Sequence, residues 1–193
     1  MGMPAERTRR WTAREVRQLT TDAPLATPRY ELVDGELLVT PSPSPTHQRA
    51  VRELLIALSA YCVRERIGEA LASPAEVELQ PEDVRQPDVF VVPSLEASRM
   101  TREGWPAREL LVAAEVVSPS SGRIDRVKKR PGYQARVPEY WIVDTDARIV
   151  ERWHSEDERP EILTELLEWS ATGAGAAFEL NLTQFFARVA GEV

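Results

Sequence analysis

The chain has 193 residues, of which 42% are hydrophobic and 28% charged, with a formal net charge of -7. That length supports one well-buried core rather than two, and the acidic balance excludes a protein coated in basic surface for non-specific DNA binding, though not a local basic cleft. No apolar run reaches the roughly 18 residues of a membrane span and the start lacks the apolar stretch of a signal peptide, so the sequence reads as a single soluble, cytoplasmic domain over 1–193.

Residues 1–10 read as a flexible N-terminus. Thr12 and Glu15 have the spacing of a capping box and start a short helix. Tyr30 to Thr40 reads as two strand arms around Asp34-Gly35, a dipeptide that favours a tight hairpin turn. Glu31 is either a third carboxylate for a site or a solvent-facing strand residue; Glu36, on the other arm, is the weaker candidate. Ser44-Pro45, closing the Pro-rich turn that begins at Pro41, predicts a helix start. From there Val51, Leu54, Leu55, Leu58, Tyr61 and Cys62 form an apolar stripe of helical spacing to about Arg66, with Gly68 as the stop. Cys62 in that stripe reads as a core residue rather than a nucleophile. His47, in the first turn, is either a contact to a phosphate or a metal-ligand carboxylate, or a surface histidine.

Short strands are expected at 69–72 and 75–79. Pro87-Asp88 then opens the run Val89-Phe-Val-Val92, and proline, which cannot donate to a sheet ladder, suits such a start. Residues 94–108 read as a loop with room for one helical turn, in which Trp105 either stacks on a base or seals the loop. Leu110 to Val117 is apolar except for Glu115 and reads as a strand covered on both faces. An ionised carboxylate there costs several kcal/mol or more unless a proton, a cation or a metal compensates it. Two strand-borne carboxylates, Asp88 and Glu115, suit magnesium or manganese, which take few carboxylates alongside water and phosphate oxygens. Zinc would draw on His and Cys, of which the chain has 2 and 1.

Ser118-Pro-Ser-Ser-Gly122 ends the strand and opens a helix whose amides can hold an anion such as phosphate. Ser118, Ser120 and Ser121 read as caps, since no G-x-S-x-G elbow surrounds them. Asp125, Lys129 and Tyr133 follow at i, i+4, i+8 on one helical face. Pro131-Gly132 falls inside that helix, where proline removes a hydrogen bond and kinks or ends the helix at a cost of about 3 kcal/mol. Arg123, Arg126, Lys128, Lys129, Arg130 and Arg136 make the segment basic. Arg126, Lys128 and Arg130 are candidate contacts to DNA phosphate, against the alternative of a solvated helix face. Glu139 to Asp144 and Arg148 to Trp153 read as a hairpin, 161–169 as further strand, and Asn181 to Val189 as a C-terminal helix.

The order and spacing of YELVDGEL, the Pro-rich turn with His47, PDVFVV, AAEVVSPSS, the Asp125/Lys129/Tyr133 helix and VPEYWIVD resemble the PD-(D/E)XK nuclease superfamily. Within it they resemble a bacterial group catalogued as restriction endonucleases of unknown function. In the parent pattern a lysine lies two residues after the second carboxylate; here that residue is Val117, and the group carries its lysine on the following helix as D-x-x-x-K-x-x-x-Y. The link from Tyr133 to Val137 is one residue shorter than the group's. The resemblance implies an α/β, restriction-endonuclease-like fold: a central mixed sheet, an N-terminal hairpin and flanking helices. It also implies a metal-dependent DNA endonuclease with Asp88, Glu115 and the Val116 backbone carbonyl on magnesium or manganese, and Lys129 as the catalytic ammonium. Glu31, His47, Asp125 and Tyr133 would be accessory, and a homodimer is the first expectation for assembly. Two rivals stand beside it: a nuclease fold that holds nucleic acid without cleaving it, and a structural protein in which Glu115 simply pairs with Lys129.

Overall fold

The computed structural model describes residues 9–22, 28–40, 42–100, 107–117 and 122–192. Residues 1–8, Pro41, Trp105, Ser118, Ser120, Ser121 and the side chain of Arg123 lie outside the described residues, and with them the N-terminal, stacking and serine-cap expectations.

Helix α1 (Ala13–Asp22) starts at the expected capping box: the Glu15 amide donates to Thr12 Oγ1 at 3.3 Å and the Thr12 amide to Glu15 Oε2 at 2.9 Å. Strands β1 (Arg29–Val33) and β2 (Glu36–Thr40) pair antiparallel around Asp34 and Gly35, whose φ angles of 49° and 79° are the pair of positive values that a tight two-residue hairpin turn needs. Helix α2 (Pro45–Glu65) starts where Ser44 accepts the His47 amide at 3.2 Å. It stops at Arg66, which takes the left-handed conformation at φ 57°; the expected stop, Gly68, lies in the next strand instead. Burial pushes the Cys62 thiol up to about 11, as befits a core residue.

Strands β3 (Gly68–Ala72), β4 (Val77–Gln80), β5 (Asp83–Arg85) and β6 (Val89–Pro93) follow. Strand β5 has no apolar pattern to announce it, because two of its three residues are charged. Both are nevertheless buried: Arg85 Nε and Nη2 meet the two oxygens of Asp83 at 2.6 and 3.0 Å, so each supplies the other's missing partner. A one-turn helix α3 (Ser94–Ala97) leads to β7 (Val112–Val117), every residue of which is buried. Helix α4 (Gly122–Ile124), a wide π turn (Asp125–Lys129) and helix α5 (Arg130–Gln134) form the crossover to β8 (Glu139–Asp144). The chain ends with β9 (Ile149–Trp153), β10 (Glu161–Leu163), β11 (Leu166–Trp169), β12 (Phe178–Asn181) and α6 (Leu182–Ala190), so 161–169 is strand as expected.

The central sheet has the order β10-β9-β8-β7-β6-β3. It is mixed: β7 and β8 run parallel and the other pairs antiparallel. A parallel pair cannot be joined by a tight hairpin, and this is why the basic helical segment lies between them. One face of the sheet (Val89, Val91, Val112, Ala114, Val116, Trp141) packs on α2, α6 and the β11–β12 hairpin. The other face (Phe90, Val92, Ala113, Val117, Tyr140, Ile142) packs on Tyr133 and Val137 from the crossover. A second sheet of order β2-β1-β5-β4 carries α1 through Ala13, Val16, Leu32 and Val84. Among the described residues no helix is long and apolar enough to cross a membrane.

Candidate active site

The site forms where the N-terminal hairpin, α2, the central sheet and the crossover helix meet. On β7 the side chains alternate, and Glu115 shares the face of Ala113 and Val117, which look toward the crossover. Antiparallel pairing of Val89 with Ala114 sets Asp88 across from Glu115. The Asp88 carboxylate extends the ladder just before β6 begins, with Oδ2 accepting the Val116 amide at 2.9 Å and His47 Nε2 lying at 3.0 Å from the same oxygen. The other oxygen accepts Arg29 Nη1 at 2.7 Å.

Lys129 is 3% exposed and meets three carboxylates. Its ammonium lies 2.8 Å from Glu31 Oε2, 3.1 Å from Glu115 Oε1 and 3.3 Å from Asp125 Oδ1. Tyr133 donates its hydroxyl to Glu115 Oε1 at 3.1 Å. The expected face of Asp125, Lys129 and Tyr133 is therefore kept, and the solvent-facing alternative for Glu31 is excluded by complete burial. Glu36 is exposed and pairs with Lys128 instead.

The expected break at Pro131 takes another form. The Arg130 amide reaches back to the Asp125 carbonyl, five residues earlier, so the helix widens by one residue just before the proline and continues. Arg85 fastens this turn from the second sheet, donating from Nη1 to the Lys129 carbonyl at 2.6 Å, with its guanidinium 4.7 Å from the centre of the Tyr133 ring. A Cβ on residue 132 would stand 2.0 Å from Arg85 Nη2, so any larger residue there must displace Arg85 or the helix.

A cavity of about 280 Å³ opens among these groups, lined by Arg29, His47, Asp88, Glu115, Val116, Asp125 and Lys129, with Val39 and Ile124 among its lining too. Burial raises the Glu115 and Asp125 carboxyls above their ordinary values, and neighbouring carboxylates add to this against the pull of Lys129. For Asp88 burial pulls the same way but is outweighed by the His47 hydrogen bond and the Arg29 charge, which hold it well below the usual carboxylate range. Burial would lower the Lys129 ammonium, yet Glu115, Glu31 and Asp125 together raise it, so it stays charged. When Glu31, Asp88, Glu115 and Asp125 are all ionised, they outnumber Arg29 and Lys129 by two charges. Arg85 is already balanced by Asp83.

No three His, Cys, Asp or Glu side chains among the described residues converge as a ready-made cage for a metal ion. Two facing carboxylates beside a cavity, with two uncompensated negative charges once all four are ionised and His47 is neutral, fit a hard divalent cation that keeps much of its water.

The candidate phosphate contacts are drawn into the fold to different degrees. Arg126 pairs with Asp144 at 2.8 Å and Glu151 at 2.6 Å, and Arg130 bonds Gln134 at 2.6 Å and lies over Trp153. Lys128 is half-exposed. Sequence reasoning missed Arg29, Asp83 and Arg85. Arg29 stands two residues before Glu31, on the same face of β1 by strand alternation, which is a usable signal; Gly132 directly after a proline hinted at a close approach, but not at what approaches.

A sequence model described as "Uma2: Putative restriction endonuclease" matches residues 14–183. No curated protein matches the chain. Among solved structures, one described as a "putative nuclease belonging to DUF820 from Anabaena variabilis" aligns with a TM-score of 0.71 at 17% identity, covering 88% of this chain and 96% of that one. At that identity the likeness speaks for the fold, and the fold is the nuclease-like α/β arrangement described above.

Proposed function

Because the chain belongs to the Uma2 family, we propose that it is a DNA endonuclease dependent on magnesium or manganese, with its active site in the cavity between Asp88 and Lys129. The observation that carries this reading is the excess of buried carboxylate over cation around that cavity: one ammonium shared by Glu31, Glu115 and Asp125 is not a neutral ion pair. Asp88, Glu115 and the Val116 backbone carbonyl would hold the ion. A bound divalent ion would supply Lewis-acid activation of water and offset charge on the phosphate.

The chain's own groups do the rest. Lys129 presents an ammonium that its three carboxylates keep protonated and aimed, suited to charge developing on the reacting phosphate. Tyr133 and Lys129 both hold Oε1 of Glu115, and Oε2 would be the oxygen offered to the ion. Glu31 and Asp125 hold Lys129 rather than the ion. Lys128 is the most accessible of the candidate DNA contacts.

The test is nicking of supercoiled plasmid with magnesium or manganese by the full chain, beside Asp88→Asn and Glu115→Gln. Cleavage that needs the metal and both carboxylates supports the reading; metal-independent cleavage, or none, removes it. A second reading draws on the fact that Asp88 and Glu115 are both engaged by basic side chains of the chain itself. On that reading the cluster is structural, and calorimetric titration with manganese would register no binding that depends on Asp88.

A further inference from the structure

Both oxygens of Asp88 are engaged by the chain itself: Oδ1 by Arg29 at 2.7 Å, Oδ2 by His47 at 3.0 Å and by the Val116 amide at 2.9 Å. A hard cation binds carboxylate oxygen at about 2.0–2.6 Å, well inside the space a guanidinium hydrogen bond needs, and the two positive charges repel. Arg29 held on Oδ1 therefore disfavours an ion on the same carboxylate, and the ion disfavours Arg29. This guanidinium also donates a long hydrogen bond, 3.4 Å, to the Gln86 carbonyl. Its side chain is only 11% exposed and lines the cavity together with Lys129 and Ser44, the latter capping the 21-residue helix α2.

Resting on the metal-dependent reading of this same site, we propose that Arg29 is a resident cation that competes with the divalent ion for Asp88 and, once displaced, turns to the substrate's phosphate. A guanidinium is suited to both stations, since its planar fork meets carboxylate and phosphate with the same paired N–H geometry. The phosphate station needs little travel: Ser44, at the N-terminal, anion-favouring end of the α2 dipole, borders the same cavity. Arg29 thus keeps Asp88 compensated in the cation-free protein and places its charge on the substrate only when the ion is in place.

The two stations predict opposite signs for one substitution. Manganese affinity is measured by calorimetry on the full chain for wild type, Arg29→Gln, Arg29→Lys and Asp88→Asn; affinity for a short duplex is measured by fluorescence anisotropy in calcium. Arg29→Gln is expected to bind manganese at least 10-fold more tightly and DNA at least 10-fold more weakly. Arg29→Lys, which keeps a cation for the fold, is expected to fall between wild type and Arg29→Gln in both assays. Manganese affinity unchanged or weaker in both Arg29 variants, with Asp88-dependent binding intact in wild type, overturns the competition and leaves the metal reading standing. Unchanged DNA affinity overturns the transfer to phosphate. Absence of Asp88-dependent manganese binding in every protein overturns the metal reading and the inference with it.

Discussion

Lys129 serves three carboxylates with one charge, and this asymmetry sets what single substitutions should do. Glu115→Gln removes one surplus negative charge while its amide oxygen can still accept from Tyr133. The cation-free variant is expected to melt no lower than wild type while metal-dependent cleavage is lost. If Glu115 were half of a simple buried pair, the same change would cost about 3–5 kcal/mol and show as a large fall in melting temperature. Lys129→Ala leaves three carboxylates without their ammonium, so melting temperature should fall and the single-turnover rate drop about 100-fold, with little change in DNA affinity. Lys128→Ala should weaken DNA binding in a salt-dependent way and leave that rate unchanged. Equal effects of the two on the rate would remove Lys129 from the chemistry. Glu115, Asp88 and Lys129 were legible because each breaks or completes a strong local pattern. Glu31 was legible only as one of two alternatives, since alternation tells which strand face a residue takes, not whether a distant helix covers that face.

At the level of elements, the crossover helix works because it is irregular. The wide turn at Asp125–Lys129 absorbs the fault that Pro131 would otherwise make, and Arg85 pins it from another sheet by the Lys129 carbonyl and the Tyr133 ring. Gly132→Ala should displace either Arg85 or the helix, lowering kcat at least 10-fold at unchanged DNA affinity. A kcat that stays at the wild-type value would show that Lys129 is held by its carboxylates alone. Arg85→Lys, which cannot reproduce the fork on Asp83, should have an effect of the same sign. Of this only the fault at Pro131 and the glycine after it were readable in sequence: β5 has no apolar pattern, and the partners that allow its burial lie within itself and 44 residues away on the helix.

At the scale of the whole molecule the buried charges couple stability to pH. Glu115 and Asp125 have folded-state values raised above their ordinary 4.5 and 3.8, so between those values and the raised ones the folded chain binds more protons than the unfolded chain. Their contribution is complete at low pH and is lost as pH rises. Asp88 acts oppositely, but its contribution is already complete above its ordinary 3.8; Lys129, raised above 10.5, is constant across the same range. In chelator, melting temperature is expected to fall as pH rises above these ordinary values, and manganese should restore it most at the upper end of the fall. A melting temperature that rises with pH in chelator would contradict the raised carboxyls. The order of most elements could be read along the chain, because apolar periodicity is local, and the fold class followed from the resemblance those elements carry together. The site could be read only in part, because it is assembled from a hairpin, a helix, a sheet and a crossover that meet in space alone.

One backbone bond ties the sheet to the site: the Val116 amide, inside a fully buried strand, ends on an oxygen of Asp88 rather than on a neighbouring strand. Its rate of exchange with deuterated solvent then depends on what holds that carboxylate, while a residue such as Ala114, one step further into the ladder, exchanges only when the sheet opens. Asp88→Ala should speed exchange at Val116 at least 10-fold and leave Ala114 as it was. The core therefore carries its own indicator, a single proton whose lifetime records the occupant of the carboxylate without any cleavage being measured.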